Sequence, residues 1–186
     1  MVIIAKTTKD DDVEQLIITA LWFRFINDSV LQEIFNNSQV RIRHVWARKN
    51  ERCPYLVHRL NTNNLPDDWV LRGGIYLLDF WDFSNTAEKI YKIKRRVIEI
   101  LDKSVFGFLK NADYFYSGSQ PVIGDTVFYI TQPQKGEPLP EVICGRFFWN
   151  TGDMIPEDTE NIWHYATEWE VKFTRTKSEI EAIFGL

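Results

Sequence analysis

Residues 165–175, YATEWEVKFTR, alternate in character without a break. Ala166, Glu168, Glu170, Lys172 and Thr174 fall on one side, and Thr167, Trp169, Val171 and Phe173 on the other. A strand has a side-chain period of two, so this stretch fits a sheet with one wet face and one buried face. A second stretch narrows the choice further. GGIYLLDFWDFS, residues 73–84, runs straight into a helical pattern over about 84–103. Asn85 with Glu88 has the form of a capping box there, with Ser84 as the alternative cap. Ala87, Ile90, Tyr91, Val97, Ile98 and Leu101 form the expected apolar stripe. Lys89, Lys92, Lys94, Arg95 and Arg96 lie mostly off it, as a solvated face whose cations suit the C-terminal half of a helix.

The rest of the chain supplies the other layers. Residues 1–9 read as a loose arm. A helix is predicted over 11–27, with Val13, Leu16, Ile17 and Ala20 on one face and Asp10 to Asp12 suiting its N-terminal dipole. Leu21, Trp22, Phe23, Phe25 and Ile26 widen its apolar surface, so this helix is expected to touch something on two sides, either a second layer of the fold or another subunit. A short second helix, capped by Asp28 or Ser29, runs through Phe35, and Asn36 to Ser38 ends it. Strands are predicted at 40–46, at 55–61 after Pro54, at 69–83 as one bent strand or two pieces with a bulge or bend at Gly73-Gly74, at 113–116, 126–131 and 142–150, and at 165–175. Residues 47–53 form a basic loop, and 61–68, 132–141 and the acidic 151–160 read as turns. A short helix at 177–184 completes the pattern.

Helix, strands, helix, then strands joined by loops defines an α+β domain: a mainly antiparallel sheet with the N-terminal and central helices packed on one face. One domain spans 1–186, with 106–164 as an insertion or elaboration within it. An apolar share of 45% is ample for a packed core. The net charge of −4 argues against an electrostatic nucleic-acid binder. MVIIAKTTKDDD is too short in apolar residues for a signal peptide, and no run approaches the roughly 18 needed to span a bilayer. A soluble protein made in the cytoplasm is expected. Cys53 and Cys144 read as free, small, buried residues.

No chemistry-bearing motif stands out. His44, His58 and His164 are isolated, neither cysteine has a partner at ligand spacing, and no phosphate loop, dinucleotide fingerprint or nucleophile elbow occurs. No metal, cofactor or catalytic residue is therefore assigned. One enzymatic alternative stays open. Glu170 and Lys172 form an E-x-K on a strand, and Asp79 or Asp82 could supply an upstream acid, as in a Mg²⁺-dependent nuclease of the restriction-endonuclease type. Against it, alternating wet faces produce such triplets constantly, and the odd spacing of Asp79 and Asp82 puts them on opposite faces. Trp46, Trp69, Trp81, Trp149 and Trp169 could form a stacking platform for single strands, but core or subunit-interface roles suit strand aromatics better.

The sequence of elements LIITALWFRFINDSVLQEIF, PYLVHRL, GGIYLLDFWDFSNTAEKIYKIKRRVIEIL and YATEWEVKFTR resembles the tail terminator (tail completion, minor tail) proteins of long-tailed bacteriophages. The resemblance covers residues 13–105 and 165–175, while 106–164 is longer than the simplest members carry. It implies a non-enzymatic virion protein, synthesised in the host cytoplasm. This protein would form a homo-oligomeric ring, commonly a hexamer, at the head-proximal end of the tail. The ring would stop growth of the tail tube protein and dock the head-completion or connector protein. DNA would pass through it without specific binding, and no membrane or cofactor is involved. A ring needs heterologous interfaces that close. Trp22, Phe23 and Phe25 on the first helix and Trp81 on a strand are the expected interface residues. Acidic walls let DNA pass, so Asp79, Glu168, Glu170 or the 151–160 loop are the expected lumen residues.

Overall fold

The computed structural model describes residues 13–36, 39–47, 50–64, 71–109, 127–136, 139–140, 142–157 and 159–174. The expected N-terminal arm, the strand at 113–116 and the helix at 177–184 lie outside these residues. Three α-helices and seven strands are present among the described residues: α1 (Val13–Ile26), α2 (Ser29–Ile34), β1 (Ile42–His44), β2 (Tyr55–Asn64), β3 (Leu71–Phe83), α3 (Glu88–Leu101), β4 (Val105–Leu109), β5 (Val127–Thr131), β6 (Val142–Ile155) and β7 (Ile162–Thr174). The strands form one curled sheet in the order β1-β2-β3-β7-β6-β4-β5. Among the described pairs β1–β2 is parallel and the rest are antiparallel. The mixed, sheet-dominated architecture agrees with an α+β class.

The alternation of the last strand is reproduced in its burial. Thr167, Trp169, Val171 and Phe173 are buried, while Glu170 and Lys172 are exposed. The apolar side of the sheet forms one cluster with α1 and α3: Leu16, Ile17, Leu21 and Phe25 from α1, Ile90, Ile93, Val97 and Ile100 from α3, and Tyr76, Leu78, Phe80 and Trp169 from the central strands. α1 contacts β1 and β2 at one end of the sheet and β5 at the other. Its two-sided apolar surface is thus used within the monomer, because the curl brings both sheet edges to one helix.

β3 pairs β2 and β7 without interruption through Gly73 and Gly74, so the expected bulge there is absent. Gly74 serves close approach instead: a Cβ there would lie 2.8 Å from the Asn61 carbonyl oxygen. The bulges fall between Trp149 and Thr151 and between Phe106 and Gly107. Gly145 lies beside the second; a Cβ there would sit 2.3 Å from Phe106 Cζ and 2.4 Å from the Lys172 carbonyl oxygen. Gly145→Ala is expected to lower stability by about 3 kcal/mol, read from the urea midpoint, because a rigid sheet backbone must shift to admit the methyl group. An unchanged midpoint would show that this edge of the sheet yields more easily than its packing implies.

Further boundaries differ from the sequence reading, among them the start of β7 at Ile162 and the shorter β1 at Ile42–His44. β2 continues to Asn64 through NTNN, and β6 continues through TGDMI to Ile155, because each has a long partner that overrides its turn formers. β4 is not signalled by the sequence at all. At α3 the capping box does not form: Ala87 is the N-cap, without a side-chain bond. Ser84 Oγ lies 2.7 Å from both Asp82 Oδ2 and the Thr86 carbonyl, which ties it to the end of β3. The helix is also rotated from its expected stripe. Ile93 and Ile100 are buried, whereas Tyr91 is 52% exposed. Its other end is closed by a residue 30 positions away. Buried Gln132 donates from Nε2 to the Ile100 and Asp102 carbonyls, each at 2.8 Å, satisfying groups that a helix end leaves open.

Residues 106–164 are not a separate body in the described part: β5, β6 and most of β4 extend the same sheet. At the α1–α2 junction, Asp28 caps α2 by accepting from the Leu31 N–H at 2.9 Å. Its carboxylate also receives Arg96 of α3, with Nε 3.0 Å from Oδ1 and Nη2 2.6 Å from Oδ2. These bonds raise the Arg96 pKa further above its usual range, and burial only partly opposes them.

Candidate functional site

The side of the sheet opposite the core cluster is where the sequence-predicted acids come together. Pairing sets them in cross-strand rows on β2, β3, β7 and β6: Tyr55–Trp81–His164–Ile155, Val57–Asp79–Ala166–Asp153, Arg59–Leu77–Glu168–Thr151 and Asn61–Ile75–Glu170–Phe148. Asp79, Glu168 and Glu170 therefore share one face, joined by Asp153. Asp82 points the other way and is 1% exposed, beside the Ser84 hydroxyl and 4.0 Å from Lys89 Nζ. The opposite facing of the two aspartates follows from their odd separation. Asp82 organises the start of α3 and is not part of the acidic face.

The nuclease constellation is not assembled. Asp79 is opposite Ala166, while Glu170 is opposite Ile75. Four residues of strand separate the two acids, about 13 Å at 3.3 Å per residue. Lys172 Nζ is 3.0 Å from Glu170 Oε1, as expected for two same-face neighbours of opposite charge. Among the described residues no group of three or more His, Cys, Asp or Glu side chains is placed to hold a metal ion.

A compact cluster sits at the Tyr55 end of this face. The Trp81 and His164 rings stack with centroids 3.7 Å apart and planes 17° apart, and Tyr55 lies parallel to Trp81 at 5.9 Å. His164 Nδ1 is 2.8 Å from Glu157 Oε1, and Nε2 is 3.5 Å from Asp79 Oδ1, an ionic distance longer than an ordinary hydrogen bond. Burial works against the charged imidazole, but the two carboxylates outweigh it and raise the His164 pKa above its usual value. Burial, with the nearby Cys53, Glu157, Glu51 and Asp79, raises the Tyr55 pKa to about 12. The sequence names Asp79, Trp81 and His164 separately; their meeting, and the parts of Glu157 and Tyr55, depend on register across three strands.

The other named aromatics divide by role. Phe25 is fully buried, so its aromatic surface is spent on the monomer's own core. Trp22 and Phe23 are partly buried against that core and meet edge-on at 4.7 Å. Trp149 and Trp169 meet edge-on at 4.8 Å. Trp46 is 80% exposed, and Trp69 lies outside the described residues. The cations of α3 are largely engaged: Arg96 with Asp28, Lys92 with Glu88 at 2.7 Å, and Lys94 over the Tyr165 ring at 4.6 Å. A groove of about 550 Å³ between α2 and α3 is lined by charges of both signs, among them Glu33, Glu88, Lys89 and Arg95. Cys53 and Cys144 are both free, the first partly exposed and the second buried. No described helix is long and apolar enough to cross a membrane.

Compared with protein-family models the chain matches none, and no curated protein matches it.

Proposed function

We propose that this chain is a structural, self-assembling protein of the tail-terminator or head–tail junction type, with the N-terminal and central helices packed on one face of its sheet. It forms a closed ring, commonly a hexamer, at the head-proximal end of a phage tail. There it stops tube growth, docks the connector and passes DNA. The observation that carries this reading is the place of β7. Last of the described strands in sequence, it lies beside β3 along its whole length, with thirteen paired positions, and β3 leads directly into α3. That is the element order on which the resemblance rests. Support comes also from the open face, where Asp79, Glu168 and Glu170 stand in neighbouring rows on one side of the sheet. Such a wall does not retain phosphates.

Light scattering on the purified chain is expected to give a mass several times the 22.0 kDa protomer, with six copies as the first expectation. A strict monomer that cleaves DNA with Mg²⁺, and loses cleavage on Glu170→Ala, would overturn the reading in favour of the nuclease.

A further inference from the structure

One side chain ties β3 and the β6–β7 connection to β7. His164 is 8% exposed and its Nε2 is shut off from solvent, so bulk water cannot satisfy the ring. Trp81 covers one side of the imidazole, and Tyr55 is stacked on Trp81 in turn. The two ring nitrogens face two partly exposed carboxylates on different elements. Glu157, on the connection, is 2.8 Å from Nδ1, and Asp79, on β3, is 3.5 Å from Nε2. Among the described residues, neither carboxylate has another hydrogen bond or ion pair.

The titratable groups around the ring come from four places: Tyr55 on β2, Asp79 on β3, Glu157 on the connection, and Asp153 on β6, one row along and opposite Ala166. Asp153 Oδ1 accepts the Met154 N–H at 2.8 Å, and the Tyr55 pKa of about 12 keeps its hydroxyl neutral. Asp79 and Glu157 are the charges that act on His164. An imidazolium donates from both nitrogens, a neutral imidazole from only one. The charged ring therefore serves both carboxylates and the neutral ring serves one. The contact to Glu157 has true hydrogen-bond length, so the remaining hydrogen stays on Nδ1. The Nε2 lone pair then faces the Asp79 carboxylate, a repulsion that Asp79 escapes by turning to solvent. Glu157 keeps a bond whose donor is no longer charged, and such a bond is weaker.

We propose that His164 is a proton-operated clasp: its imidazolium holds Asp79 of β3 and Glu157 of the β6–β7 connection at the same time, and loss of the proton frees Asp79 and slackens the connection. The open face gains one negative charge in the same step. Burial opposes the charged ring, but the two carboxylates prevail, so the clasp is closed below pH 6.5 and opens as pH rises through the folded value. The far end of the connection has tethers of its own. The Ser84 N–H donates to the Asn161 carbonyl at 3.0 Å, and the Ile162 N–H donates to the Thr159 carbonyl at 3.3 Å. These two amides report on the connection without belonging to the clasp. The device lies within a single chain and is independent of the assembly reading.

Histidine NMR titration with amide hydrogen exchange tests it. The His164 ring signal, identified by its loss in His164→Gln, is expected to titrate above pH 6.5 in the wild type. Asp79→Asn and Glu157→Gln, both at partly exposed positions, should each lower that midpoint by about half a unit or more. Exchange of the Ser84 and Ile162 amides, corrected for the intrinsic effect of pH, should quicken about 5-fold or more between pH 5.5 and pH 8.5 in the wild type. In Glu157→Gln, which keeps an acceptor for Nδ1 but no charge, the change should shrink to about twofold or less. A His164 midpoint that neither variant moves would overturn the clasp. So would the same pH response of the two amides in the wild type and Glu157→Gln. Either result leaves the assembly reading as it stands.

Discussion

Between pH 6.5 and about 3, each unit of acidification is expected to remove about 1.4 kcal/mol of stability through His58 alone. His58 is 1% exposed, its Nδ1 shares a hydrogen bond with the Tyr76 hydroxyl at 3.1 Å, and the His44 ring stands 5.5 Å away. Burial, and then the charge of His44, lower its pKa from 6.5 to about 3. The folded chain therefore holds a neutral ring while the unfolded chain takes up a proton. The associated stability is present above pH 6.5 and is lost as pH falls towards 3. His164 acts in the opposite sense. Its raised pKa adds stability that is complete below pH 6.5 and fades as pH rises through the folded value. Urea midpoints at pH 7 and pH 4.5 should differ by about 3 kcal/mol from the His58 contribution. His58→Gln, which keeps a partner for Tyr76 but no titrating ring, should flatten that acid limb. Equal acid slopes in the two proteins would show that His58 is protonated in the native state.

Arg96→Met is expected to cost about 2–4 kcal/mol, because it strands a buried carboxylate; the figure is below that of a fully enclosed pair because Arg96 is 20% exposed. Asp28→Asn should cost about as much, since the amide can still cap α2 but cannot balance the guanidinium. The double variant should cost clearly less than the sum, with a coupling of about 1.5 kcal/mol or more, because neither charge is left alone. Thermal or denaturant unfolding of the four proteins gives the cycle directly. Strictly additive losses would show that α3 is held to the α1–α2 junction by packing, without help from the ion pair.

What the sequence made legible was local and periodic. The two faces of 165–175 and of 73–83 are written in alternation, so the burial of Trp169 and Phe173 and the opposite facing of Asp79 and Asp82 could be read directly. The Asp28 cap is likewise a local signal. What stayed hidden was set by residues far apart. Ser84 looks like a helix cap until Asp82 is known to be buried beside it. TGDMI looks like a turn until β7 pairs with it. Ile93 and Ile100 become core only once α3 is rotated onto the sheet. Phe25 could be read as surplus aromatic surface because nothing local says that a curled sheet brings β1, β2 and β5 to the same helix. The His164–Asp79–Glu157 cluster depends on register between strands about 80 residues apart, which no short window contains.

The position of β7 bears on how the chain is made. Among the described residues β1, β2 and β3 form one half of the sheet and β6, β4 and β5 the other, and the halves are joined through β7. During synthesis the strand that unites them is the last of the seven to leave the ribosome. Until then each half exposes a long unpaired strand, β3 or β6, whose backbone donors and acceptors can recruit a neighbouring chain. Nascent chains stalled before residue 162 are therefore the species most exposed to aggregation. Chaperone demand in the cell should concentrate in that late interval.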